Sequence, residues 1–189
     1  MKVTAILGSP RAGGNTEILL NEAMRAVVES GHTVTLFRPS EMNISPCTNC
    51  GGCDTTGLCV ISDDMADVYR AIYESERFII ASPIFFFGLT AQIKALIDRA
   101  QALWCEKYLL NNPIKGGPHG RKGLLIMVGG MKKEIGFKSG GATATAFFRS
   151  ISVPVHETIY FDGIDKMGAV KEHITALSTV YEAAKRLVE

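Results

Sequence analysis

Four of the chain's five cysteines, Cys47, Cys50, Cys53 and Cys59, fall within one short stretch, SPCTNCGGCDTTGLCV. Thiols at steps of three suit the corners of a multinuclear centre, because one short loop can then wrap it. Gly51, Gly52 and Gly57 supply the backbone freedom that wrapping requires. Other chemistries compete. Structural zinc more often pairs two Cys-x-x-Cys knuckles across a longer separation than this segment contains. Cys-x-x-Cys spacing also lowers a thiol pKa and suits dithiol redox chemistry. A loop whose thiols bind nothing has the same sequence.

A second reactive stretch is GSPRAGGNT, Gly8 to Thr16, which joins an apolar run to a helical one. The first turn of a helix offers free N–H groups and the positive end of a dipole, so an anion belongs there. A Walker loop would need Lys where Gly14 stands, and a dinucleotide fingerprint would need Gly in place of Pro10. Hydroxyls, one amide and Arg11 remain, a set suited to a single phosphate monoester. A tight turn with Asn15 or Thr16 capping the helix would look the same. A third stretch, Ser82 to Gln92, places Phe85, Phe86 and Phe87 in a row between Pro83 and Gly88. Pro83 turns the chain out of a strand, and Gly88 allows backbone to approach a flat ligand. Buried strand running into an apolar loop is the plainer reading.

These stretches need elements to position them. Apolar runs at Val3–Leu7, Thr33–Phe37, Phe78–Ala81, Gly123–Val128 and Val153–Phe161 read as strands. Helical spacing follows from Thr16 to near Gly31, after Asp63 and Asp64 as caps, around Ile93–Ala100, over a short span near Ala142–Ser150, and along a stripe from Val170 to Val188. Strands reached through helices predict a parallel sheet covered on both faces, in one domain over residues 1–189. Such sheets bind ligands at the carboxyl ends of their strands. The cysteines lie in a loop at 45–62. Residues 105–120, rich in Gly, Asn and Pro, read as an excursion. Trp104, Tyr108, Leu109 and Leu110 at its start suggest a surface covered by a second copy, so a homo-oligomer is expected.

The 189 residues carry a net charge of +1 and no basic tail, which argues against nucleic acid or an anionic membrane as partner. The first apolar run stops at Leu7, too short for a secretory signal, and no window is long enough for a membrane span. A cytoplasmic protein is expected, where clustered thiols favour metal or redox chemistry over structural disulfides. His32, His119, His156 and His173 show no ligand spacing, so no side-chain acid or base is assigned. Asp98-Arg99 reads as a structural ion pair or surface charge, Cys105 as a small buried apolar residue, and Met127 and Met131 as packing or ligand contacts.

GSPRAGGNT resembles the phosphate loop of flavodoxin-like FMN proteins, in particular the NADPH-dependent FMN reductase family. The resemblance implies that Ser9, Arg11, Gly14, Asn15 and Thr16 surround the FMN phosphate. The segment Pro83, Ile84, Phe85, Phe86, Phe87 and Gly88 is similar to that family's isoalloxazine loop. Relatives often carry Tyr or Trp there, so the all-Phe version lacks a hydroxyl contact. Val128-Gly129-Gly130 is similar to the segment at the flavin rim. Cys47-x2-Cys50-x2-Cys53-x5-Cys59 resembles the compact motif of the iron–sulfur flavoproteins, a branch of the same superfamily. Together these imply a flavodoxin-like three-layer sandwich with strand order 2-1-3-4-5. They further imply an FMN oxidoreductase with a [4Fe-4S] cluster near the flavin, fed by ferredoxin or NAD(P)H, in a dimer or tetramer. A cluster-free NAD(P)H-dependent flavin or quinone reductase, a flavodoxin-like carrier and a thiol redox sensor are the alternatives.

Overall fold

A computed structural model describes all 189 residues. Strands β1 (Lys2–Leu7), β2 (Thr33–Phe37), β3 (Arg77–Pro83), β4 (Lys122–Val128) and β5 (Val155–Phe161) form one sheet in the order β2-β1-β3-β4-β5. Every neighbouring pair is parallel. The helices are α1 (Asn15–Glu29), α2 (Met65–Glu74), α3 (Ala91–Arg99), α4 (Gln101–Trp104), α5 (Glu134–Ser150) and α6 (Ala176–Val188). The strand order reverses between β1 and β3, which opens a crevice at their carboxyl ends. Register holds Leu7 beside Ala81, and Pro83 beside Val128, so the loops after β1, β3 and β4 leave at one edge.

Successive residues of a strand point to opposite faces. Ala5 and Leu7, Ile79 and Ala81, and Leu124, Ile126 and Val128 pack in the core that includes α1 and α6. Ile6, Phe78, Ile80, Leu125 and Met127 pack on the other face with residues of α2, α3 and α5. Both faces are dry, which is why these strands are continuously apolar instead of alternating.

Four local expectations need correction. Helix α5 starts at Glu134, well before Ala142. Gly136, Gly140 and Gly141 are poor helix formers and hide it. A Cβ at Gly136 would fall 2.8 Å from Ile84 Cγ2, and one at Gly140 would fall 3.1 Å from Met127 Sδ, so close packing requires glycine. The excursion begins as helix: α4 runs into a π-helical turn over Cys105–Leu109, and the irregular part comes only afterwards. The C-terminal stripe is broken. A 3-10 turn covers Ala169–Glu172, Ile174 is exposed, and α6 begins at Ala176. Asp64 does not cap α2; its carboxylate accepts from Asn43 N–H, while Asp63 accepts from both Ser45 and Met65 N–H. No helix is long and apolar enough to cross a membrane.

Candidate functional site

A groove runs along the carboxyl edge of the sheet. Its inner part is lined by Ser9, Arg11, Gly14, Asn15, Thr16, Pro83, Ile84, Phe85, Gly129 and Gly130, with Val128, Ile164 and Asp165. Its outer part, of about 620 Å³, adds Phe86, Phe87, Met131, Lys133, Gly136 and Phe137. That volume suits a cofactor-sized ligand. Three sequence stretches predicted separately thus meet in one place. Sequence reasoning missed Ile164, Asp165, Lys133, Gly136 and Phe137. Ile164 and Asp165 follow β5, and the carboxyl-edge rule was the signal that could have found them.

At the inner end, the N–H groups of Asn15, Thr16 and Glu17 have no protein partner. The Thr16 hydroxyl and the Arg11 guanidinium likewise bond to no protein group, while the Ser9 hydroxyl accepts from Arg11 N–H at 3.2 Å. These free donors fit an anion. Glu17 lies in the same turn, and its hydrogen bond with Arg38 holds its carboxyl below the usual range. Arg38 offsets that negative charge. Asn15 departs from expectation. Its side chain turns away, donating to Lys166 O at 2.9 Å and accepting from Val170 N–H at 3.2 Å. Asn15 therefore brings a backbone N–H to the groove and uses its amide to hold the 166–170 segment. Thr90 Oγ1 donates to Gly8 O at 2.5 Å and ties the β3–α3 loop to this one.

Phe85 and Gly88 exchange two backbone hydrogen bonds of 2.9 Å, so Phe86 and Phe87 form a two-residue hairpin turn. Their φ angles are +46° and +61°. Left-handed backbone of this kind normally takes Asn-Gly. The conformational freedom expected of Gly88 is thus required of two phenylalanines instead, and Gly88 lines neither part of the groove. The N–H groups of Phe86 and Phe87 are without partners and remain available to a ligand. Gly129 and Gly130 use their size for packing: a Cβ on Gly130 would lie 2.9 Å from Asp165 Cβ.

The cysteine loop forms a separate cavity. Cys47, Cys50, Cys53 and Cys59 all line it, with Asp54, Arg99, Gln101 and Ala102, and it shares no residue with the groove. The free space is about 20 Å³, room for about one water. Positive φ at Asn49, Gly51 and Gly57 places bends along that loop. A tetrahedral zinc would set its sulfurs about 3.8 Å apart. No three of the four motif sulfurs lie within 4.8 Å of one another, so they are not gathered for one zinc ion. Cys105 is buried, as expected, but it is not isolated. Its Sγ lies 3.6 Å from Cys53 Sγ, and it donates to Asp54 Oδ1 at 3.4 Å. Burial, then the Cys105 contact, push the Cys53 thiol up to about 12.

Arg99 proves to be no surface charge. It is 1% exposed and clamps both ends of the loop. Nη1 donates to Ser45 O at 2.9 Å and to Asp63 at 2.6 Å, and Nη2 donates to Ile61 O at 3.1 Å. Burial alone would raise the Asp63 carboxyl, but Arg99 and the Ser45 and Met65 N–H groups outweigh it and hold it low. The Arg99 Nε–H has no partner. A buried cation with a spare donor thus lies beside the four thiols.

The family model for NADPH-dependent FMN reductases matches residues 1–151. The chain belongs to the NADPH-dependent FMN reductase family. Within it, the chain groups with the iron–sulfur flavoproteins. It is 32% identical over 198 aligned positions to the iron–sulfur flavoprotein of Methanosarcina thermophila, covering 100% of this chain and 94% of that one. An Archaeoglobus fulgidus iron–sulfur flavoprotein is 42% identical over 99 residues, 52% of this chain and 45% of that protein. The fold is similar to that of the NAD(P)H:quinone oxidoreductase of Methanothermobacter marburgensis. The TM-score is 0.76 at 13% identity, over 100% of this chain and 96% of that one. It is also similar to an FMN-dependent NADH-azoreductase of Bacillus anthracis, with a TM-score of 0.67 at 12% identity over the whole of both chains. Members of this family are flavodoxin-like, and this chain is a flavin-dependent oxidoreductase.

Proposed function

We propose that the chain binds FMN in the groove and one [4Fe-4S] cluster on Cys47, Cys50, Cys53 and Cys59. In this reading it passes electrons between a reduced donor, ferredoxin or NAD(P)H, and an acceptor. When bound, FMN supplies two-electron and one-electron redox chemistry, and a cluster exchanges single electrons. The chain's own residues bind and orient. The N–H groups of Asn15, Thr16 and Glu17, with Arg11 and the Ser9 and Thr16 hydroxyls, hold the phosphate. The Phe86 and Phe87 N–H groups meet the polar edge of the ring, and Phe85 and Phe137 present apolar surface to it. No side chain is assigned a proton-transfer role.

The observation that carries the cluster reading is the convergence of all four motif cysteines on one cavity beside the buried Arg99. A homo-oligomer and a cytoplasmic location belong to the same reading. The rival is a reductase without a cluster. The 3.6 Å Cys53–Cys105 contact favours it, since that pair could close a disulfide or share one soft metal ion with Asp54. Anaerobic purification followed by a UV–visible spectrum decides between them, because the two cofactors absorb differently. The proposal expects flavin bands plus broad cluster absorbance, and FMN on chromatography of the released cofactor. Flavin bands alone, after reconstitution with iron and sulfide, would leave only the reductase.

A further inference from the structure

Three buried polar atoms lack a partner, Arg99 Nε, Arg121 Nε and Ser152 Oγ, and of these residues only Arg99 lines the cysteine cavity. Arg99 is nearly inaccessible, yet its hydrogen bonds use only Nη1 and Nη2. The Nε–H is buried and unpartnered. An orphaned buried donor carries its full desolvation cost, and native chains rarely tolerate one without a reason. The reason lies in what Arg99 touches. It lines the cavity formed by Cys47, Cys50, Cys53 and Cys59, and it holds Ser45 and Ile61, which flank those cysteines. The Tyr69 hydroxyl donates to Arg99 O at 2.6 Å and helps to fix the residue in place. The folded chain offers no acceptor to this N–H. Sulfur of a cysteine-bound cluster would be one.

We propose that Arg99 sets the reduction potential of the cluster, through an Nε–H hydrogen bond to its sulfur and through its fixed positive charge. This rests on the cluster reading above. A cluster on four thiolates is anionic and gains a further negative charge when it accepts an electron. A donor and a cation beside it stabilise the reduced state more than the oxidised state and raise the potential. Burial keeps solvent and salt from screening the effect. Asp63 acts in the opposite sense. It pairs with Arg99 at 2.6 Å with both side chains buried, and so partly neutralises the guanidinium. The two residues form one clamp on the loop but pull the potential in opposite directions.

That opposition separates electrostatic tuning from a purely structural role. The experiment is an anaerobic redox titration of the full chain, followed by electron paramagnetic resonance of the reduced cluster. The chains compared are unsubstituted, Arg99→Gln, Arg99→Lys and Asp63→Asn. The expected result is a lower potential for Arg99→Gln and a higher one for Asp63→Asn. Arg99→Lys keeps the charge but loses the Nε–H, and its potential falls between Arg99→Gln and the unsubstituted chain. Unchanged potentials, or shifts of the same sign in Arg99→Gln and Asp63→Asn, would overturn the proposal while leaving the cluster reading intact. If Arg99→Gln retains no cluster, Asp63→Asn decides alone, and an unchanged or lowered potential overturns the proposal. An unsubstituted chain that binds no cluster overturns both readings.

Discussion

The Cys53 thiol touches Cys105 at 3.6 Å and also lines the four-thiol cavity, so its substitution and that of Cys105 have different consequences. Cys53→Ala should abolish the cluster and Cys105→Ala should retain it, as read by iron and acid-labile sulfide on anaerobic protein. Both variants should keep FMN, because the cavity and the groove share no residue. Loss of iron in Cys105→Ala would make Cys105 a ligand. The clamp has its own pH dependence. The Asp63 carboxyl is held below its ordinary value in the folded chain, so the stability it contributes is full above the unfolded value of about 4. It is lost as pH falls through the lowered folded value. Hydrogen exchange of the clamped amides in the metal-free chain, taken as protection relative to the intrinsic rate at each pH, should therefore be high at neutral pH and lost in acid. In Asp63→Asn that protection should be low at both. The four thiols were legible in the sequence because their spacing is local. The Cys105 contact and the Arg99 clamp were not, since each joins segments at least 36 residues apart.

At the scale of elements, the Phe86-Phe87 turn carries backbone strain at the edge of the groove. Left-handed backbone costs an ordinary residue about 1–2 kcal/mol. Replacing the pair with Asn-Gly should raise the melting temperature of the flavin-free chain and speed FMN loss on dilution. Calorimetry and flavin fluorescence read the two effects; a lower melting temperature would show that the phenylalanines pack more than they strain. The strands were readable because continuous apolar runs alternate with helical spacing, as a doubly covered parallel sheet requires, whereas their order followed only from the family resemblance. Helix α5 was read short because Gly136 and Gly140 answer to packing against Ile84, Leu89 and Met127, a tertiary demand that local propensity does not carry. The role of Asn15 was hidden for the same reason, as its partners Lys166 and Val170 lie at the far end of the chain.

For the whole molecule, the fold sets a groove at the sheet edge and a cysteine-lined cavity apart, with no lining residue in common. Trp104, Tyr108, Leu109 and Leu110 remain between 38% and 48% exposed, which suits a surface covered by another copy. Light scattering at micromolar concentration should give a dimer or tetramer, and Trp104→Glu with Leu109→Glu should shift the mass towards the monomer. A monomeric unsubstituted chain would rule out the oligomer. On the proposed reading, one chain carries FMN on the sheet edge and a cluster on its cysteine loop. Native mass spectrometry of anaerobically purified protein weighs both at once. The expected result is one FMN and one cluster of about four irons and four sulfides per chain. A chain carrying FAD, a single zinc ion, or flavin with no iron and sulfide would contradict it.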